Sequence, residues 1–235
     1  MTVSTSIGTT TAFEPMSQPS LVELVEASIR DAILEARLRP GTRVSDAKIA
    51  AEMGISRAPV REAIRHLAVR GLLREEPRRG AFVAHLTRSA VRQVYDCRRA
   101  LEGLAARRVA ASPVLDEHVV ELRSILAEMD RARARQDHVR MAEADHRFHL
   151  TLCELTGNTW LSRLYGQIAD QSRLMQAVDT FAHAERETAD VVMMHAPIVD
   201  AIETGDPDAA ERAALAHIDL SERLFLSEVP DLADG

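Results

Sequence analysis

Apolar residues along most of the chain recur every three or four positions, and one short stretch breaks that rhythm. Leu21, Leu24, Val25, Ile29, Ala32 and Ile33 line one side of a helix over about 19–36, which Pro40-Gly41 ends. Ile49, Ala50 and Met53 form the stripe of a second, shorter helix that opens at Ser45 and closes at Gly54, a residue suited to a left-handed cap. A third helix follows Ile55. Ser56 is its expected N-cap, Pro59 sits in its first turn, Val60, Ile64 and Leu67 make its buried side, and Gly71 ends it. The period then changes. Residues 72–76 and 81–85 are β-prone runs separated by Pro77-Arg78-Arg79-Gly80, which predicts a hairpin with a basic tip. From Thr87 onward only helical spacing remains. It predicts helices at about 87–111, 114–135, 137–156, 159–180, 184–204 and 207–227, with breaks at Ser112-Pro113, Gly157-Asn158 and Gly205-Asp206-Pro207.

The predicted fold is therefore mainly α. An N-terminal winged helix-turn-helix over 20–86 precedes a C-terminal antiparallel all-α bundle over 87–228, with a disordered tail at 1–19 and a short tail at 229–235. The length of 235 residues suffices for two modest cores. The net charge is −7, unevenly placed: residues 20–86 hold 12 Lys+Arg against 9 Asp+Glu, and residues 87–235 hold 17 against 26. A mildly basic head on an acidic body fits a DNA-binding module joined to one that avoids DNA, although chance variation on solvated faces gives the same signal. Two cysteines, Cys97 and Cys153, make no disulfide framework, and the reducing cytosol is the default reading. The Ser/Thr-rich first residues lack the pattern of a secretory signal, and no apolar run is long enough for a bilayer, so the expected location is cytoplasmic and the expected partners include no membrane.

The third helix carries Arg57, Arg61 and Arg65 four apart on a side distinct from its apolar one. An arginine front, an apolar back and a preceding short helix with a glycine turn suit the DNA major groove. Here a family resemblance enters. Pro40-Gly41-Thr42-Arg43-Val44, the run from Gly54 to Ile64, Leu67, Gly71-Leu72-Leu73 and Arg79-Gly80-Ala81-Phe82-Val83 resemble the DNA-binding domain of the GntR family of bacterial transcriptional regulators. The resemblance implies that Arg57 and Arg61 touch bases or phosphates and that the wing tip at Arg78, Arg79 and Gly80 reaches the minor groove. The full candidate DNA-binding set is Arg43, Lys48, Ser56, Arg57, Ala58, Arg61, Arg78, Arg79 and Gly80. One departure bears on the operator: many members carry an arginine at the position of Ala47. Lys48 is adjacent, but a helical neighbour points about 100° away.

In the bundle, Asp145 and His149 are one helical turn apart, on one face. His195 and His217 lie about ten residues either side of the turn at Asp206, so an antiparallel hairpin brings them level, roughly 15 Å from that turn. Three imidazoles and a carboxylate suit a divalent ion, zinc first, with nickel, manganese or iron as alternatives. Partly buried, hydrogen-bonded histidines are the bland alternative, and His146 falls on another face. Residues 87–227 also look like the FCD ligand-binding domain of the FadR subfamily. Tyr95-Asp96-Cys97-Arg98-Arg99-Ala100-Leu101-Glu102, the run Asp145 to His149, Thr156-Gly157-Asn158, and His195, Gly205-Asp206 and His217 carry that resemblance. It implies a metal held by Asp145, His149, His195 and His217, and an effector-facing Arg98, for which a surface salt bridge is the plain alternative. Asn158 is read as a cap.

Other classes stay in view. A metal-dependent hydrolase would need a general base, for which Glu143 and Glu154 qualify only by proximity, and it leaves the basic head unexplained. A metal-free regulator responsive to acyl-CoA would have no need of the ligand set. The expected protein is not an enzyme. It is a homodimeric regulator, a repressor as the family resemblance implies, whose operator binding responds to a small organic or sugar acid at the metal site.

Overall fold

A computed structural model describes residues 20–35, 37–182 and 189–228. Both expected tails, and the first residues of the helix expected at 184–204, lie outside the described residues. The head comprises α1 (Leu21–Leu34), β1 (Arg43–Val44), α2 (Asp46–Met53), α3 (Arg57–Val69), β2 (Leu73–Glu76) and β3 (Gly80–Val83). The body comprises α4 (Arg88–Ala110), α5 (Leu115–Ala134), α6 (His138–Glu154), α7 (Thr159–Ala182), α8 (Ala189–Glu203) and α9 (Pro207–Glu228).

Helix ends follow local chemistry. Ser20 and Glu23 close a capping box: the Ser20 hydroxyl accepts from the Glu23 N–H at 3.2 Å, and the Glu23 carboxylate accepts from the Ser20 N–H at 2.7 Å. Ser45 caps α2 through the Lys48 N–H, Gly54 ends it with φ 67°, and Thr87 caps α4 through the Ala90 N–H. Asn158 accepts from the N–H groups of Trp160 and Leu161 at the start of α7, and Asp206 does the same for Asp208 and Ala209 at the start of α9. Ser56 departs from expectation. Its backbone is extended, as an N-cap requires, but its side chain makes no capping hydrogen bond. Pro59 occupies the third helical position and has no N–H to give, so a usual donor to the cap is missing.

The sheet has the order β1-β3-β2, antiparallel throughout. The β2–β3 wing matches the predicted hairpin. β1 was not legible, because two residues cannot display alternation; it is held by Arg43 opposite Phe82 and Val44 opposite Ala81. The body is an all-helical bundle whose core runs from Ala105, Ala106 and Val109 on α4 through Leu122, Met129, Phe148 and Leu152 to Ile198, Ile202 and Ala214. The head core does not close on itself. Val25, Ile29, Ile33, Val60, Ile64 and Leu67 continue into Val91 and Tyr95 on α4, Leu174 and Met175 on α7, and Ile218 and Phe225 on α9. Polar contacts fasten the same seam. Arg70, the residue that ends α3, reaches Asp170 of α7 at 2.6 Å and Glu26 of α1 at 3.0 Å, while Gln171 donates to its carbonyl at 2.8 Å.

Candidate metal centre and DNA-reading surface

Four helices converge on a buried polar cluster. α6 supplies Asp145 and His149, α8 supplies His195 and α9 supplies His217; all four are buried. The equal offsets of His195 and His217 from the α8–α9 turn bring their rings to 4.3 Å between centroids. His149 Nε2 lies 3.1 Å from His195 Nε2, and Asp145 Oδ1 lies 3.0 Å from His195 Nε2 and 4.0 Å from His149 Nε2. The ligating atoms of His149, His195 and His217 lie within 4.8 Å of one another. Asp145 stands beside this trio, against two of its members. Phe148 meets His149 and His195 edge-on and forms an apolar wall.

Arg98 and Glu102 of α4 complete the cluster. Glu102 is 1% exposed and bridges two groups: Oε1 accepts from Arg98 Nε at 2.6 Å, and Oε2 lies 2.6 Å from His149 Nδ1. Arg98 Nη2 also stands 3.2 Å from His149 Nε2. Arg98 is thus no surface salt bridge. It is 5% exposed, inside the bundle, with its guanidinium over the Tyr95 ring at 5.4 Å.

Charge follows from these contacts. Burial alone would raise the Asp145 and Glu102 carboxyls. The hydrogen bond and charge of His195, with His149 and Arg98, hold Asp145 below the usual carboxylate range, and Arg98 and His149 do so for Glu102. Burial depresses His149 and His217, and it takes His146 to about 4 with help from Arg173. These imidazoles fold in the neutral form, whose lone pairs are what a metal requires. Both ring nitrogens of His217 are buried without a hydrogen-bond partner. A native protein rarely leaves such atoms orphaned, so a divalent ion fits the donor set. The depressed values also set a pH dependence. Below about pH 6.5 the unfolded chain takes up protons that the folded protein does not, so stability is full above that value and is lost as pH falls toward the depressed values. The urea midpoint of metal-stripped protein is expected to hold from pH 7.5 to about 6.5 and to drop from there to pH 5.5; a flat profile would mean that the rings charge in place.

The head presents the candidate DNA residues on exposed positions. Arg57 and Arg61 stand together over Asp46, while Arg65 pairs with Glu62 at 3.4 Å. Lys48 points to Glu52 at 3.8 Å. Arg78, with φ 65°, and Gly80, with φ 98°, make the wing turn. Arg79 pairs with Glu76 at 2.5 Å and lies over the Phe82 ring. A side chain at Gly80 would meet the Arg43 guanidinium at 3.6 Å, so β1 and the wing tip form one basic corner. Ser56 and Ala58 are exposed at the start of α3. Sequence reading missed the roles of Glu102 and Asp46. The i, i+4 spacing of Arg98 and Glu102 was a usable signal for the first. Nothing local signals the second, since Asp46 meets Arg57 and Arg61 only across the turn.

A winged helix-turn-helix head seated on an all-helical body defines a DNA-binding protein of the winged-helix class. Residues 21–83 match the bacterial regulatory proteins of the gntR family, and residues 93–220 match the FCD domain. The chain is 32% identical over 198 residues to the "Probable D-xylose utilization operon transcriptional repressor" of Paenarthrobacter nicotinovorans, covering 83% of this chain and 85% of that one. It is 30% identical over 223 residues to the HTH-type transcriptional repressor RspR of Escherichia coli K12, covering 93% and 91%. Its fold matches the crystal structure of a GntR transcriptional regulator from Rhodococcus sp. RHA1 with a TM-score of 0.76 and 28% identity, over 89% of this chain and 99% of that one. The chain belongs to the GntR family of bacterial transcriptional regulators and carries an FCD domain. It is a regulator and not an enzyme, and among the described residues no helix is long and apolar enough to cross a membrane.

Proposed function

We propose that the protein is a cytoplasmic, homodimeric repressor whose operator binding responds to a small organic or sugar acid, and that the acid binds at a divalent metal held by Asp145, His149, His195 and His217. The observation that carries the reading is His217: two buried ring nitrogens with no hydrogen-bond partner, with ring nitrogens of His149 and His195 within 4.8 Å. Asp145, His149, His195 and His217 would hold the metal, zinc first, and it would supply a positive centre that attracts a carboxylate. Arg98 supplies a fixed guanidinium fork at the same place, well matched to a carboxylate. An acid that engages Arg98 competes with Glu102 and His149 for its N–H groups. Tyr95, under the Arg98 guanidinium and 4% exposed, belongs to the head core, so a shift of Arg98 bears on the head within one turn of α4. The acid acts only through its affinity difference between the two arrangements.

Dimerisation is supported by apolar surface on two packed helices: Leu104 of α4, and Trp160 and Leu164 of α7, are exposed. Two heads would read a two-fold symmetric operator, α3 in the major groove and the wing at Arg78, Arg79 and Gly80 in the minor groove. The test is elemental analysis of protein purified without chelator or a metal-affinity tag, with calorimetric titration of organic and sugar acids. About one divalent ion per chain, and an acid whose binding vanishes after metal removal, is the expected result. Protein that holds no metal and takes none up would reduce the cluster to packing.

A further inference from the structure

The α5–α6 hairpin carries a groove that encloses about 580 Å³. Two buried alanines form its floor, Ala132 of α5 and Ala144 of α6, at 5% and 3% exposed. An ion pair between Arg147 and Glu128 closes one end and fixes the antiparallel register. One helical turn toward the α5–α6 connection, that register sets Arg131 level with Ala144; one turn further it sets Arg135 level with Arg140. The walls are charged. Arg140 has Asp137 at 3.3 Å. Arg131, Arg135 and Glu143 are exposed, and among the described residues their side chains have no ion-pair or hydrogen-bond partner. Two unpaired guanidiniums run against the trend of residues 87–235, where acids outnumber bases 26 to 17. The groove also turns away from the metal centre. At about 100° per residue, positions 140, 144 and 147 lie on the side of α6 opposite Asp145 and His149.

We propose that this groove is a second ligand site, separate from the metal centre, and that it takes a phosphate monoester of a small hydroxylated molecule. Arg131 and Arg135 are one helical turn apart, about 5–6 Å at their Cβ atoms, so their guanidiniums can meet on one group. A carboxylate offers two oxygens and fills one guanidinium fork. A terminal phosphate offers three oxygens and nearly two charges, which serve both forks. Arg140, level with Arg135, adds a third cation to the same end. Glu143 then narrows the choice. Its unpaired carboxylate repels a bare anion but accepts from a hydroxyl, so it favours a ligand that carries hydroxyl groups beside the phosphate. The volume leaves room for that organic part. The small floor is what keeps the space open: a longer side chain at position 132 or 144 would fill it.

The test is calorimetric titration of the full-length protein at fixed ionic strength, before and after chelator treatment. The probes are inorganic phosphate, glycerol 3-phosphate, glucose 6-phosphate and succinate. Inorganic phosphate is expected to bind once per chain, equally with and without chelation, and at least one of the two monoesters is expected to bind more tightly. Succinate is expected to bind the chelated protein more weakly than phosphate does. Arg131→Gln combined with Arg135→Gln changes two exposed positions, so the fold should be retained, as a thermal melt would verify. This double variant is expected to lose about 10-fold or more in phosphate affinity, the worth of a hydrogen bond to a charged group. Arg133→Gln removes a charge from the same helix outside the groove, where Arg133 pairs with Asp130, and is expected to bind as the unmodified protein does. No saturable phosphate binding, an unchanged double variant, or an equal loss in Arg133→Gln would overturn the site. Loss of phosphate binding on chelation would move the anion to the metal centre and overturn a separate site. Phosphate binding with neither monoester tighter, or with succinate as tight, would overturn the ligand class.

Discussion

Glu102→Ala is expected to cost about 3–5 kcal/mol of folding stability, the scale for removing one partner from a buried ionic cluster. The carboxylate is 1% exposed, accepts from Arg98 Nε at 2.6 Å and lies 2.6 Å from His149 Nδ1. Its removal leaves a buried guanidinium without its counter-ion. A typical domain has only about 5–15 kcal/mol in total, so the loss is a large share. Glu102→Gln keeps the volume and an oxygen acceptor, and it should fall between the two. Equilibrium unfolding in urea measures all three; an alanine variant within about 1 kcal/mol of the unmodified protein would mean that the Arg98 charge finds another partner.

Substitution of His217 should separate folding from metal binding. In the metal-free protein its ring nitrogens have no partner, so truncation removes an unsatisfied buried group as well as some packing, and the two effects oppose. The metal-stripped His217→Ala protein should therefore melt close to the stripped parent. Added zinc at a thousand times its dissociation constant stabilises the parent by about 4 kcal/mol, and the variant should lose most of that gain. His195→Ala, which also strips Asp145 of its 3.0 Å partner, should lose both the metal and the response to the acid. A zinc-induced rise in melting temperature as large in His217→Ala as in the parent would remove His217 from the ligand set.

The helices were legible because apolar spacing and caps agree: the Ser45, Thr87 and Asp206 caps and the Gly54 stop stand where the sequence puts them. So were His195 and His217, since one turn equidistant from both fixes their level. Contacts between elements were not legible. β1 owes its two residues to pairing with β3 alone. Ser56 has the right residue type and backbone for a cap, and the proline three positions on decides otherwise. Glu102 and Asp46 take their roles from partners on other helices or across a turn. The Arg98 pairing was visible as a spacing, but its burial depends on α6, α8 and α9 closing over it.

Because the head core runs on into α4, α7 and α9, head and body are expected to melt together. Cut after residue 86, the head would leave Leu86, Val25 and Ile29 without the six apolar side chains that the body contributes, and it would expose one open end of a core. Such a head is no portable cassette: grafted to another body, it carries a socket that only a matching set of residues at positions 91, 95, 174, 175, 218 and 225 can fill.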